Sequence, residues 1–205
     1  MRTQIYVDGF NLYYGALRYT PYKWLDLSAL FRNMLKPHHQ ILAIKYFTAR
    51  VESRENDPGK PQRQDFYLRA LRAHCQEIGI IEGKFKTRKS CLPLVEPPHS
   101  KVRVLRTEEK GSDVNLAVHL LNDAWQDEYD CAVVVSNDSD LAEAMRLVRE
   151  QREKFLGLMT PGNRHPSQDL TEYANFHRNI RRNLLERSQL PDLIPGTNIS
   201  KPEEW

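Results

Sequence analysis

Three aspartates stand where short apolar runs stop, and a fourth stands in the first turn of a helix. Asp8 follows "TQIYV", Asp113 lies in "KGSDV", and Asp138 and Asp140 follow "CAVVVS" in the stretch "VVVSNDSDLAEA". Each alone has a plain explanation: an aspartate in a first helical turn complements the helix dipole or caps free N–H groups, and Asp8 before Gly9 forms a turn. Several carboxylates gathered at one point repel each other, which disfavours their ionised forms. A divalent cation removes that repulsion, and all-oxygen ligation suits Mg²⁺ or Mn²⁺ better than zinc. Such an ion would lower the pKa of a bound water and orient it for attack.

The elements that must bring these acids together can be read from the pattern. A buried strand at about 3–8 runs into a turn at Gly9, with a helix through "LYYGAL" and another over "LSALFRNML", closed by Pro37. The β-branched and aromatic stretch 41–51 reads as a strand. The amphipathic stretch "QRQDFYLRALRAHCQEIG" predicts a long helix capped at Gly79. "IIEGKFKT" is a further strand, 88–100 a proline-containing loop or hairpin, and "KVRVLRTEE" an alternating strand. A helix follows over "GSDVNLAVHLLNDAW", where Val114, Ala117, Val118, Leu121 and Trp125 share a helical spacing and predict its buried face. "CAVVVS" and "KFLGLMT" are strands separated by the helix "DLAEAMRLVREQ", and a last helical stretch falls near "QDLTEYA". Strands alternating with helices predict a mostly parallel sheet covered on both faces, with ligands outside the carboxyl ends of its strands. One domain is expected over 1–187. The tail 188–205, with Pro191, Pro195, Gly196 and Pro202, is expected to be loose.

Composition narrows the function classes. The chain has 205 residues, 40% hydrophobic and 28% charged, enough for one large domain with a core. A net charge of +3 is too mild to imply a polyanion partner by itself. The cysteines Cys75, Cys91 and Cys131 include no CxxC pair, against a disulfide framework or a structural zinc site. No signal-peptide run and no apolar segment of roughly 20 residues is present, so a cytoplasmic protein without a membrane span is expected.

Taken together, "VDGFNLYYG", "EEKGSDVNLAVHLL" and "VVVSNDSDLAEA" resemble the NYN domain family of the PIN-like ribonuclease superfamily, over roughly residues 3–175. The resemblance implies a PIN-like, Rossmann-like three-layer α/β sandwich whose acids bind Mg²⁺ or Mn²⁺ to cleave RNA. By it, Asp8 matches the acid of the first strand and Asn11 the polar residue of the following turn. Asp113 matches the acid of the "KGxD" motif, and Asp138 and Asp140 the two acids of "SxDSD". Asp8 and Asp138 are then expected as direct ligands, and Asp113 as a ligand or the holder of a metal-bound water. Asp140 is expected to orient its neighbours and Asn11 to position water or phosphate. The chain departs from the common "SGDSD" form, with Asn137 in place of glycine. Many PIN nucleases also carry an acid on a central helix; here Asp65 and Glu77 are the candidates.

The expected partner is RNA, single-stranded or structured. Lys110, before the "GSD" turn, is placed to touch a phosphate or to pair with Glu108 or Glu109. Lys84, Lys86, Arg88 and Lys89 can track a phosphate backbone or simply keep a strand edge soluble. "YYGALRYTPYKW" interleaves Tyr13, Tyr14, Tyr19, Tyr22 and Trp24 with Arg18 and Lys23, for stacking on unpaired bases or for packing. A late basic group, Arg178, Arg181, Arg182 and Arg187, can extend the groove or form a homodimer edge. A role in RNA turnover fits, as does a toxin or defence role, which would bring a neutralising protein partner. Two rivals stand beside the nuclease. One is a non-catalytic RNA-binding or regulatory protein on the same fold. The other is a metal-dependent nucleotide phosphatase, which would want an aspartate where Phe10 stands.

Overall fold

In the computed structural model, which describes residues 1–205 apart from Arg54 and Asn56, the chain builds a seven-stranded sheet in the order β4-β3-β2-β1-β5-β6-β7. The strands are β1 (Arg2–Asp8), β2 (Gln40–Ala49), β3 (Ile78–Pro93), β4 (Lys101–Lys110), β5 (Cys131–Val135), β6 (Phe155–Pro161) and β7 (Phe176–Ile180). All neighbours are parallel except β3 and β4, which form an antiparallel hairpin. The helices are α1 (Gly9–Leu12), continued by a π-helical turn at Tyr13–Leu17, α2 (Leu27–Met34), α3 (Lys60–His74), α4 (Ser112–Trp125), α5 (Ala142–Gln151), α6 (Gln168–Tyr173) and α7 (Arg182–Arg187). Two apolar cores make the outer layers. α2, α3 and α7 pack on one face through Leu30, Phe31, Leu68, Leu71 and Leu185; α4, α5 and α6 cover the other through Leu116, Leu120, Met145, Val148 and Leu170. β5 is buried along its whole length, as a continuous β-branched run in a central parallel strand should be. The result is the three-layer α/β sandwich predicted from the sequence.

The chain reverses its winding between β1 and β5, so a crevice opens at their carboxyl ends. The register places Val7 opposite Val135, which sets Asp8 level with Ser136. On the other side Asp8 pairs with Phe47 of β2.

Three features differ from the sequence expectation. α3 ends at His74, because Cys75 turns extended (φ −94°, ψ 103°) and the chain enters β3 at Ile78; Gly79 lies inside the strand rather than capping the helix. Of the loop or hairpin expected at 88–100 the structure has the hairpin: β3 runs on to Pro93 and β4 begins at Lys101. α4 turns the other way: Val114, Val118 and Trp125 are 66%, 56% and 47% exposed, while Leu116, Leu120, Asp123 and Ala124 face inward. Asp123 hides the true face in the sequence. Its buried carboxylate accepts hydrogen bonds from the Tyr6 hydroxyl and the Lys45 ammonium, each at 2.5 Å, so the charged residue that sits inward is paired there. Finally, 188–205 is not loose. Leu190, Ile194 and Ile199 are buried, Trp24 Nε1 donates to the Pro191 carbonyl at 2.9 Å, and Trp205 packs on Trp24 and Tyr67. The segment completes the α2–α3 side of the core, so no boundary falls at residue 187. Among the described residues no helix is long and apolar enough to cross a membrane.

Candidate active site

Asp8 ends β1 and is 4% exposed. Its Oδ1 accepts from the Asn11 backbone N–H at 2.9 Å, capping α1, and its Oδ2 accepts from the Ser136 hydroxyl at 2.9 Å. Ser136 in turn accepts from the Asp138 N–H at 3.1 Å. Asp138 Oδ1 accepts from the Asp140 N–H at 3.1 Å and so caps the short 3₁₀ turn at Ser139–Leu141. Asn11 Oδ1 accepts from the Asn137 N–H at 3.1 Å, joining α1 to the end of β5. Capping therefore does not compete with a site role. Capping bonds hold both carboxylates where lone pairs remain for the crevice.

α4 supplies the third acid. Its N-cap is Gly111 at φ 103°, a conformation that side chains rarely adopt, and this turn aims the first helical residues at the crevice. A cavity of about 470 Å³ opens there, and its walls include Asp8, Asn11, Asp113 and Asp138. They also include Glu109, Glu52, Lys60 and Arg164. Burial pushes the Asp8 carboxyl above its ordinary range, against the hydrogen bonds from Asn11 and Ser136. Asp113 is pushed up to about 6, first by burial and then by the charges of Asp8, Asp138, Glu109 and Asp140. The acids line one cavity without closing into a chelate: among the described residues, no three His, Cys, Asp or Glu side chains are grouped to hold an ion.

The other sequence candidates fall in several places. Asp140 is exposed and outside the cavity wall, and reaches it only through its N–H bond to Asp138 and its charge. Asp65 and Glu77 are engaged elsewhere, Asp65 with Arg50 at 2.7 Å and Glu77 with Ser28 and Arg32. Lys110 pairs with Glu108 at 3.0 Å. Residues directly opposite in a hairpin share a face, and faces alternate along the strand. Phe85, Glu109 and Thr107 line the cavity, so Lys89, on the same face, continues the cavity side of the β3–β4 ribbon. Lys84, Lys86 and Arg88 point to the other side, with Arg106 and Lys110 around Glu108.

The sequence reading missed Glu109 and Arg164 as cavity residues. Glu109 was legible in principle, since it alternates with Thr107 on a strand ending at the "KGSD" turn. Arg164 had no local signal. Its loop is pinned by distant bonds: Asn137 Oδ1 accepts from Ser167 N–H at 2.7 Å, Asn137 Nδ2 donates to the His165 carbonyl at 3.1 Å, and Asn179 Nδ2 donates to the Gly162 and Arg164 carbonyls, both at 3.0 Å. Asn137, the departure from glycine, thus ties the β5 end to the loop after β6.

Comparison with known proteins adds three findings. The family model described as the NYN domain matches residues 2–180. The chain is 37% identical to "6-hydroxy-3-succinoylpyridine 3-monooxygenase HspA" of Pseudomonas putida (strain DSM 28022 / S16), over 235 aligned positions that take in 100% of this chain and 75% of that protein. It is also similar to the crystal structure of a protein of unknown function, VPA0982 from Vibrio parahaemolyticus RIMD 2210633. The TM-score is 0.55 and the identity 19%, covering 92% of this chain and 96% of that one, a likeness of fold.

Proposed function

The chain belongs to the NYN domain family, and from that premise we propose that it is a metal-dependent ribonuclease that hydrolyses phosphodiester bonds at the cavity between β1, β5 and α4. One observation carries the reading. Asp8, Asp113, Asp138 and Glu109, from four separate elements, line one cavity, and burial together with the neighbouring carboxylate charges pushes Asp113 up to about 6. A set of acidic oxygen donors under such repulsion fits Mg²⁺ or Mn²⁺. Asp8, Asp113 and Asp138 are the residues that would hold it. When bound, the ion supplies an activated water and a counter-charge for the phosphoryl oxygens. The protein's own groups do the rest. Ser136 and the Asn11 N–H fix the Asp8 carboxylate, and the Asp140 N–H fixes that of Asp138. The Asn11 carboxamide lines the cavity beside them, where its N–H₂ can orient a phosphate oxygen. Arg164 brings a permanent positive charge to the same wall, suited to a phosphodiester.

The test offers a labelled single-stranded RNA and, separately, a nucleoside monophosphate, each with Mn²⁺ or Mg²⁺. The expected result is RNA shortened in a metal-dependent way with no phosphate released from the monophosphate. RNA bound but intact under both ions would point instead to a non-catalytic RNA-binding protein on the same fold. Release of phosphate alone would point to the phosphatase.

The name of the Pseudomonas putida relative favours a second reading, oxygenation of a substituted pyridine. An aromatic-walled cavity beside the acids is compatible with a flat ring. Among the described residues the acid cavity has no histidine in its wall, unlike the two-histidine, one-carboxylate set of non-haem iron oxygenases. Oxygen uptake with 6-hydroxy-3-succinoylpyridine and a reductant measures this reading directly.

A further inference from the structure

A second cavity of about 280 Å³ opens at the carboxyl end of β2, between the α1 segment and α3. Its walls are aromatic: Phe10, Tyr13 and Tyr14 on one side, Tyr67 and Trp205 on the other. The placement of Trp205 is built rather than incidental. Arg63 is clamped between Asp57 and Glu204, and the Trp205 ring lies 5.7 Å from Tyr67 and 6.2 Å from Trp24. Tyr46 and Thr48, alternate residues on one face of β2, also line the cavity; they are 7% and 2% exposed. Most polar groups around them are satisfied. The Tyr67 hydroxyl donates to the Leu25 carbonyl at 2.9 Å, and Gln64 spends its carboxamide on Val51 N–H and the Ala49 carbonyl, both at 2.9 Å. The hydroxyls of Tyr46 and Thr48 have no hydrogen-bond partner among the described residues. These hydroxyls are open to the slot, so a ligand there can take the place of water on them.

The slot also adjoins the carboxylate cavity. Phe10, Tyr14, Val51 and Lys60 line both. At its rim the Arg18 guanidinium lies over the Tyr14 and Tyr19 rings, 5.4 and 4.8 Å from their centroids. Flat aromatic walls, two hydroxyls at the floor and a cation at the rim describe a site for a planar ring with a hydrogen-bonding edge and a nearby phosphate.

We propose that this second cavity is a nucleobase subsite. One unpaired base of the strand, flanking the phosphate at the carboxylates, stacks among Phe10, Tyr14 and Trp205 and hydrogen-bonds the Tyr46 and Thr48 hydroxyls. The proposal rests on the ribonuclease reading of the neighbouring cavity. A base held in a duplex cannot enter such a slot, so the subsite makes the protein selective for single strands and for one kind of base.

The test measures binding in EDTA, so that it does not depend on cleavage. Four fluorescently labelled homotetranucleotides, the four nucleosides and a duplex are titrated against wild-type protein, a Tyr46→Phe, Thr48→Val double variant and Trp205→Leu. Both changes on β2 keep side-chain shape and remove only hydroxyls. The expected result is one tetranucleotide preferred by about tenfold, the preference falling to about twofold in the double variant, and weaker binding of every tetranucleotide by Trp205→Leu. The duplex binds at least about tenfold more weakly than the preferred strand. Four bases bound equally by the wild type, or a preference unchanged in the double variant, overturns the subsite. Base discrimination without cleavage under Mn²⁺ would remove the ribonuclease reading and leave the ring-binding slot standing; cleavage without discrimination would do the reverse.

Discussion

Replacing Asp113 with asparagine should stabilise the protein while removing its activity. The Asp113 carboxyl is held at about 6 against an ordinary 3.8, so the folded state resists its ionisation. At about 1.4 kcal/mol for each pH unit that gap amounts to about 3 kcal/mol. Asp113 is partly open to water, which cuts the figure by roughly half. Losing a negative charge from the first turn of α4 returns about 0.5 kcal/mol. A net gain of about 1 kcal/mol remains at neutral pH, or about 2–4 °C in Tm for a chain of this size. The sign follows from linkage. A carboxyl raised in the folded state makes the wild type lose stability as pH rises from 3.8 through about 6, and the cost is then constant above that range. Below pH ~4 the group is protonated both folded and unfolded, and the advantage of Asp113→Asn disappears. Thermal melts from acid to neutral pH in EDTA read this directly. Added Mn²⁺ should then stabilise the wild type more than the variant, as binding to the folded state requires. A variant less stable than wild type at neutral pH in EDTA, or a difference that does not change with pH, would refute the electrostatic reasoning.

Three further outcomes are expected. Glu109→Gln removes a like charge beside Asp113 while keeping an acceptor for Ser112 N–H, so Asp113 falls back toward 3.8 and the pH at which Mn²⁺ begins to stabilise the protein moves down; melts with and without Mn²⁺ across pH measure it, and an unmoved midpoint counts against the coupling. Asn137→Gly deletes two hydrogen bonds to the loop carrying Arg164, so Tm falls by a few degrees, at about 1 kcal/mol for each bond; RNA cleavage should fall with it, and a variant with full cleavage would show that Arg164 needs no such anchoring. On the β3–β4 ribbon, Lys89→Ala with Arg103→Ala should flatten the salt dependence of RNA binding by about one or more in the log–log slope, because both lie on the cavity face; Lys84→Ala, Lys86→Ala and Arg88→Ala together should change it less, and the opposite order would mean that RNA follows the other face.

Much of the fold was legible because local chemistry and global position agree. "CAVVVS" is apolar throughout its first five residues and forms the fully buried strand β5; Asp8 caps α1 at the end of β1, and Asp138 caps the 3₁₀ turn beyond β5. The failures come from partners distant in sequence. Asp123 looks like a surface residue until Tyr6 and Lys45 are placed beside it, 117 and 78 residues away. The proline-containing tail looks loose until Trp24 and Tyr67 give Pro191 and Trp205 something to dock on. At the site, Asp8, Asn11, Asp113 and Asp138 could be named from motif and strand end. Arg164 could not, because its position depends on bonds from Asn137 and Asn179 across the β6–β7 end of the sheet. The basic cluster at 84–89 illustrates a third limit. Composition shows the charge, but only the hairpin register shows that one of the four, Lys89, lies on the cavity side of the ribbon.

The most direct measurement is cleavage of a labelled single-stranded RNA with Mn²⁺ by the wild type, beside the Asp8→Asn, Asp138→Asn double variant, each with and without EDTA. Asparagine caps helices nearly as well as aspartate, so the variant should fold, as its melting curve will show. The predicted result is cleavage by the wild type that EDTA abolishes and the folded double variant lacks. Cleavage that persists in EDTA, or in the folded double variant, would contradict the assignment of these acids.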